Sequence, residues 1–529
     1  MIFKNTLAVV SLTILMACNA KNKEISPPVK TLEAATVQGN FSAPTTKYLD
    51  SLSISRFIDS FPLLKEITPD LQNFYQGRNY SYAWFTHNGM IEQAGNLYNK
   101  IKNVEEEGVD SSKLFYQQEF SNYMDYPYEP AAENDSSLLM AELMLTAQYL
   151  QYAKTVWVGL KEKESLALQW LLPRKKISYT QTLDSLLSGK DVLANPPVYR
   201  QYYLLKDYLK KYRLAEKADT VKIPITRSPL KKGDSSYIIA AARYKLFLLG
   251  DIKEYMPLGK FDEGLDTAVR KFQARMGFGV TGKLAKAEID ELNISIHQRV
   301  EALLVNMERC RWVTNNNTKT YLIVNIPEFK LHAIQDNALL WSMNVVVGKN
   351  QHKTVVFNGN IKYVVFSPYW NIPYNIIKNE TLPALRKNPS YLKRHNMEWI
   401  GNSIRQKPGP NNSLGLVKFL FPNSHSIYLH DTPAKSLFKE TNRAFSHGCI
   451  RVSEPQKLAA YLLKNDTTWN EKNIRGAMNS GKERTITLRE PMPVFIAYFT
   501  SWVASDGSLN FRRDIYERDQ KLLSMIVSQ

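Results

Sequence analysis

Apolar and polar positions change period along this chain, and the changes divide it. An apolar run over residues 6–17, behind Lys4, has about the length of a signal-peptide core and falls short of the roughly 20 residues a membrane-spanning helix needs. From residue 51 to 226 the spacing is helical: Leu139, Leu143, Ala147, Leu150, Ala153 and Leu160 recur near 3.6 residues. Residues 138–160 are the longest apolar candidate, but Glu142, Gln148, Gln151 and Lys154 interrupt it, so no bilayer span is expected there. The dense aromatics Phe74, Tyr75, Tyr80, Tyr82, Trp84 and Phe85 predict core packing, and this stretch reads as a scaffold without catalytic groups. A second helical unit covers residues 227–298. In it Leu265, Ala268, Val269 and Phe272 sit at i, i+3, i+4 and i+7, before Gly277, Gly279 and Gly282 break the chain. From about Thr320 the period becomes two. The runs YLIVNI, WSMNVVVG, KYVVF and HSIYLH predict a β-rich domain over residues 299–529. Residues 375–418, with Pro383, Pro389, Pro408, Gly409 and Pro410, interrupt those strands, and an insertion that long predicts a functional lid. The expected class is therefore α+β, multi-domain.

Composition narrows the picture. A length of 529 residues suggests three or four domains, and 44% hydrophobic with 22% charged residues excludes wholesale disorder. Cys18, Cys310 and Cys449 are too few for a disulfide-built scaffold. The run Leu15-Met16-Ala17-Cys18 resembles the lipobox of bacterial lipoproteins, which implies a signal peptide over residues 1–17 and a lipidated Cys18. Residues 18–50, poor in aromatics and rich in Lys, Ser, Thr, Pro and Ala, read as a flexible tether. The expected location is extracytoplasmic, in the periplasm, on a membrane anchor; Asn19 leaves open which membrane. A net charge of +18 favours a polyanionic partner, whether nucleic acid, membrane or a carboxylate-rich polymer.

The chemistry concentrates near residues 425–456. Alternation in the strand ending at His430 puts Ile427 and Leu429 on one face and Tyr428 and His430 on the other. Cys449 follows Ser446-His447-Gly448, and Ser453-Glu454-Pro455-Gln456 reads as a capping box opening a helix. That helix terminus, with Arg451 and Arg443, would favour the thiolate. These are the needs of acyl transfer through a thioester. Cys449 is the candidate nucleophile and His430 the general base. The backbone N–H groups of Gly448 and Cys449, with the Tyr428 hydroxyl, are candidate oxyanion donors, and His447 is expected to shape the nucleophile turn. Two other readings stand at this point: a zinc site from His430, His447 and Cys449, with His425 as a further ligand, and a buried cysteine among structural histidines.

His430, fifteen intervening residues and Ser446-His447-Gly448-Cys449-Ile450-Arg451 together resemble the signature of L,D-transpeptidases with a YkuD-type catalytic domain. NMERCRW at 306–312, VNIPEFKL at 324–331, SPYWNIP at 367–373 and RQKPGPNNSLGLVKFLFPN at 405–423 extend the likeness toward the large YcbB-like subgroup. Residues 227–298 resemble the small three-helix peptidoglycan-binding domain through Ala268-Val269, Phe272-Gln273, Gly277-Phe278 and Gly282. The resemblance implies a cofactor-free, metal-free cross-linker. Cys449 would attack a tetrapeptide stem, release D-Ala and pass the acyl group to a second stem as a 3→3 cross-link; carbapenems would acylate the same thiol. Arg451 joins the catalytic set, and Trp370, Arg443 and Ser446 are candidate substrate contacts. Cys310, standing in NMERCRW, reads as a small buried hydrophobe. Expected partners are peptidoglycan stems, the membrane through the lipid, and other cell-wall enzymes, with no nucleic acid. An L,D-carboxypeptidase, a protein-attaching enzyme and a non-catalytic wall-binding lipoprotein remain alternatives.

Overall fold

Amphipathic helices that cannot be stable alone pack around one nearly all-buried helix, and this builds the N-terminal half. The computed structural model describes residues 47–126, 136–314, 319–336 and 338–527. The lipobox, Cys18 and most of the tether lie outside the described residues. Helices Ser53–Ser60, Thr68–Gly77, Glu92–Lys102, Tyr179–Leu187 and Arg200–Glu216 surround or extend from Ser136–Tyr152, whose side chains are buried along most of its length. A short hairpin, β1 (Phe85–Thr86) and β2 (Gly89–Met90), closes one side. Glu142 is fully buried within the central helix. Its carboxylate accepts from the Tyr75 hydroxyl at 2.8 Å and from the backbone N–H groups of Ala83 and Trp84 at 2.6 and 3.0 Å. The residue that breaks the apolar run in the sequence thus fastens a loop to the helix. Among the described residues no helix is long and apolar enough to cross a membrane.

Helices Tyr237–Leu248, Glu263–Met276 and Lys286–Leu292 follow. Asp262 caps the second through the Leu265 N–H at 2.8 Å, and Gly277, at φ +81°, ends it in the left-handed conformation. Gln273 is buried; its Oε1 accepts from the N–H groups of Thr281 and Gly282, both at 2.9 Å, and its Nε2 donates to the Lys283 carbonyl at 2.8 Å. The residues that carry the peptidoglycan-binding likeness therefore serve the fold of this unit: Ala268, Val269 and Phe272 fill its core and Gln273 ties the turn.

Ser295 caps the next helix, Ile296–Trp312, reciprocally with Gln298. This helix runs unbroken through the 298/299 boundary expected from sequence, so the break falls before its cap. It ties the helical half to the β-rich half. Glu308 accepts from the Leu160 N–H at 2.7 Å and pairs with Arg311 at 2.9 Å, while Arg309 pairs with Asp519 at 2.6 Å. Cys310, on the same helix, is fully buried, and desolvation pushes its thiol up to about 12.

The β-rich half carries β3 (Thr320–Asn325), β4 (Lys330–Gln335), β5 (Ala338–Gly348), β6 (Phe357–Phe366), β7 (Trp370–Asn371), β8 (Met397–Ile400), β9 (Ser403–Gln406), β10 (Val417–Leu420), β11 (Leu429–His430), β12 (Ala444–Ser446), β13 (Ile450–Val452) and β14 (Arg484–Ala497), followed by the hairpin β15 (Ser501–Val503) and β16 (Leu509–Phe511). The main sheet has the order β12-β5-β13-β11-β10-β6-β14-β3-β4 and rolls back on itself, because long β5 also pairs with β4. The helical half and this sheet make an α+β protein. Residues 425–430 form far less strand than their alternation predicts. The Asn423 side chain accepts from the N–H groups of His425 and Ile427, and Ser426 adopts φ +54°, which holds the approach to β11 as a turn. The insertion expected at 375–418 folds on its own terms but with other bounds: its sheet takes in β7 at Trp370–Asn371, and Val417 and Lys418 belong to β10 of the main sheet. Strands β7, β9 and β8 form a three-stranded sheet, and Ile372, Ile377 and Ile404 make a small separate core beneath it.

Candidate active site

The site rests on the pairing of β11 with β13. They run parallel, with Leu429 opposite Ile450 and His430 opposite Arg451. Leu429 and Ile450 are fully buried on the core side, so the period-two rule sends Tyr428, His430, Cys449 and Arg451 to the other face. Four residues from two separate sequence segments thus meet as one block.

His430 is 4% exposed, and its Nδ1 meets the Asp431 carbonyl at 2.5 Å. A carbonyl only accepts, so the neutral ring carries its proton on Nδ1 and keeps the Nε2 lone pair for a proton from elsewhere. Burial, then the Arg451 charge, push its pKa down to about 3 against smaller upward pulls from the carbonyls of Asp431 and Leu414. Asp431 is itself buried. Its carboxylate accepts from the Leu416 N–H at 2.8 Å and pairs with Lys435, which fixes the loop over the imidazole.

Gly448 has φ +114°, a backbone geometry open to glycine, in the turn before Cys449. Its carbonyl accepts from Thr354 Oγ1 at 2.8 Å, and the same hydroxyl oxygen accepts from the Gly348 N–H at 2.9 Å. The Tyr516 hydroxyl completes the clamp by donating to the Gly348 carbonyl at 2.6 Å. A β-carbon at Gly348 would lie 2.0 Å from the His352 carbonyl, so this crossing excludes any side chain. Cys449 is half-buried, and its thiol donates to the Ser426 carbonyl at 3.6 Å. No Cys449–His430 hydrogen bond forms among the described residues. The expectation of a favoured thiolate is corrected. Burial raises the Cys449 pKa and outweighs the downward pull of hydrogen bonds from Tyr428 and the charge of Arg451. The capping box is also absent: the helix Pro455–Leu462 begins at Glu454 with no side-chain cap.

The other sequence candidates divide. Tyr428 reaches Cys449, and its ring lies 5.7 Å from that of His430. Of the two backbone donors, the Gly448 N–H is spent on Ser446 Oγ at 3.2 Å, whereas the Cys449 N–H has no partner among the described residues. Ser446, expected as a substrate contact, is 2% exposed and its hydroxyl donates to the Cys449 carbonyl at 2.5 Å; it shapes the turn from within. Arg443 donates to the carbonyls of Glu440 and Phe329 at 2.8 and 3.3 Å, and its buried Nε has no hydrogen-bond partner among the described residues. Trp370 packs on the small core of the insertion. His447 turns outward to the insertion, where its Nε2 meets Glu380 Oε1 at 2.9 Å and its ring lies 5.1 Å from that of His352. The zinc alternative loses its geometry: His425 packs on the Phe357 ring at 5.1 Å, and no group of three His, Cys, Asp or Glu among the described residues is placed to hold a metal. Thr354, Glu380, Asp431 and Lys418 were missed by sequence reasoning. Only Lys418, between inward Val417 and Phe419, left a trace in the alternation.

Residues 319–472 match the family model described as the YkuD L,D-transpeptidase catalytic domain, and residues 69–209 match one described as a scaffold domain. A curated protein of Haemophilus influenzae named "Putative L,D-transpeptidase" is 32% identical over 243 residues, covering 42% of this chain and 49% of that protein. The chain thus spans about half the length of this relative. Among solved structures, an L,D-transpeptidase from Stackebrandtia nassauensis is 14% identical, covers 53% of this chain and 97% of that one, and has a TM-score of 0.22. Another from Xylanimonas cellulosilytica is 13% identical, covers 52% and 100%, and has a TM-score of 0.18.

Proposed function

We propose that this chain, which carries a YkuD L,D-transpeptidase catalytic domain and a scaffold domain, forms 3→3 peptidoglycan cross-links through a thioester on Cys449. The observation that carries this reading is the block of Tyr428, His430, Cys449 and Arg451 on one sheet face with the Cys449 N–H unspent. The thiol proton passes to His430 Nε2 as sulfur attacks the amide carbonyl of the donor stem. The Cys449 N–H and the Tyr428 hydroxyl take the developing oxyanion. The C–N bond then breaks, and His430 returns the proton to the departing D-Ala amine. A side-chain amine of a second stem attacks the thioester, gives its proton back through His430 to sulfur, and leaves the cross-link. No cofactor is needed. Cys18 would hold the protein to a membrane by lipid, in the periplasm, within reach of the wall.

Incubation with a disaccharide-tetrapeptide tests the reading. The expected products by mass spectrometry are free D-Ala and a dimer linked between two diamino acids. Release of D-Ala without dimer would make water the acceptor, and no release would remove the transpeptidase reading altogether.

The insertion up to the end of β9 acts as the lid in this reading, and Glu380–His447 is a contact between it and the nucleophile turn. Both partners are partly exposed, at 54% and 36%, so the pair is weak. Glu380→Gln is expected to slow acylation by the donor stem about two- to fivefold, the effect of one exposed polar contact, while alkylation of Cys449 by iodoacetamide stays unchanged. Equal losses in both would place the effect on the thiol itself.

A further inference from the structure

The antiparallel pairing of β10 with β11 puts Lys418 opposite His430, and the parallel pairing of β11 with β13 puts Arg451 on the other side. Lys418, His430 and Arg451 therefore form one row across three adjacent strands, on the catalytic face. Buried Val365 and Val346 bound the row at its two ends. Two cations in that setting need an anion, and the protein supplies little. The Lys418 side chain is 17% exposed and its carboxylate neighbour, Glu483, is 3.8 Å away. Its remaining bond, to the Tyr369 carbonyl, is 3.4 Å long. Arg451 has no carboxylate partner among the described residues, and its buried Nε has no hydrogen-bond partner. Burial lowers the pKa of both, the sign of charge held away from water without full compensation.

We propose that Lys418 and Arg451 are a carboxylate-binding pair that flanks the general base and reads the free carboxylate of the departing amino acid. This rests on the acyl-transfer reading above. His430 must reach the leaving nitrogen, and in an α-amino acid the carboxylate is two bonds from that nitrogen. A carboxylate there falls beside the imidazole, where the two cations stand. The donor is then selected for an unblocked C-terminus, and the anion bound on the leaving side shields His430 from the Arg451 charge.

The test is binding to the Cys449→Ala protein, which needs no turnover and so fails or succeeds apart from the cross-linking reading. Two probes are compared by calorimetry: a stem tetrapeptide with a free C-terminal carboxylate, and the same peptide as its C-terminal amide. The free acid is expected to bind at least tenfold more tightly. In the Cys449→Ala/Lys418→Gln protein that gap should shrink to about twofold or less, and Lys418→Arg should keep most of it. If circular dichroism shows Lys418→Gln to be poorly folded, Arg451→Gln in the same background must close the gap instead. Equal affinities for acid and amide, no binding of either, or a gap that survives the substitution would overturn the pair.

Discussion

Cys449→Ala is expected to eliminate both D-Ala release and cross-linked dimer, a loss of at least about 10⁴-fold in kcat. The size follows from what surrounds the thiol, since no neighbour can replace it. Ser446 is the nearest hydroxyl in sequence, but it is buried and donates to the Cys449 carbonyl. Cys310 is fully buried on the helix Ile296–Trp312, with its thiol pushed up to about 12. The fold should survive. Cys449 contributes one weak bond to the Ser426 carbonyl, while the turn itself is held by Thr354, Ser446 and Tyr516. Its stability is therefore expected to change by no more than about 1 kcal/mol in a denaturant titration. Intact-mass measurement after carbapenem treatment provides the second check: one adduct on the unsubstituted protein, none on Cys449→Ala. Dimer formation by a folded Cys449→Ala protein would place the chemistry elsewhere.

What could be read in the sequence was local. The helix Glu263–Met276 declared its apolar face and its Gly277 stop within fifteen residues, so its spacing sufficed. The change to period two likewise announced the sheet. The motif around Cys449 marks a candidate nucleophile because thiol acyl transfer needs a turn that presents the sulfur with a histidine in reach. The rest depends on pairings between distant segments. Nothing near residue 418 says that Lys418 will stand beside His430; that comes from β10–β11 register. Glu380 and His447 are 67 residues apart and meet because the insertion folds around its own core. A serine that knots a turn and one that meets a ligand look alike in sequence, and Ser446 is buried with its hydroxyl on the Cys449 carbonyl. Arg443 donates from its two terminal nitrogens to backbone carbonyls, while its buried Nε has no hydrogen-bond partner among the described residues. The surplus positive charge gains a location only in three dimensions, in part as exposed Arg386, Lys387, Lys393 and Arg394 on the insertion.

His430→Gln is the substitution with the second largest expected effect, and its pH dependence separates two kinds of cysteine enzyme. With the imidazole pushed down to about 3 and the thiol raised above its ordinary value, the resting pair between pH 5 and 8 is neutral thiol with neutral imidazole. A thiolate–imidazolium pair would instead be reactive across that range. Alkylation of Cys449 by iodoacetamide should therefore climb about tenfold per pH unit from 5 to 8, without a plateau. Removing the base should lower kcat/KM for the donor stem by about 10²- to 10⁴-fold at pH 7. That deficit should narrow above pH 9, as solvent takes over deprotonation of the thiol. Stability carries the same signature. Folding lowers this histidine's pKa from 6.5 to about 3, so the unfolded chain binds the extra proton between those values. The contribution is full above pH 6.5 and falls as the pH drops toward 3, by about 1.4 kcal/mol per unit at most. His430→Gln should remove that slope, so urea titrations at pH 7 and pH 4 should differ less for the variant than for the unsubstituted protein. An alkylation plateau between pH 5 and 7 would mean that the imidazole is charged at rest and that Cys449 attacks as a preformed thiolate.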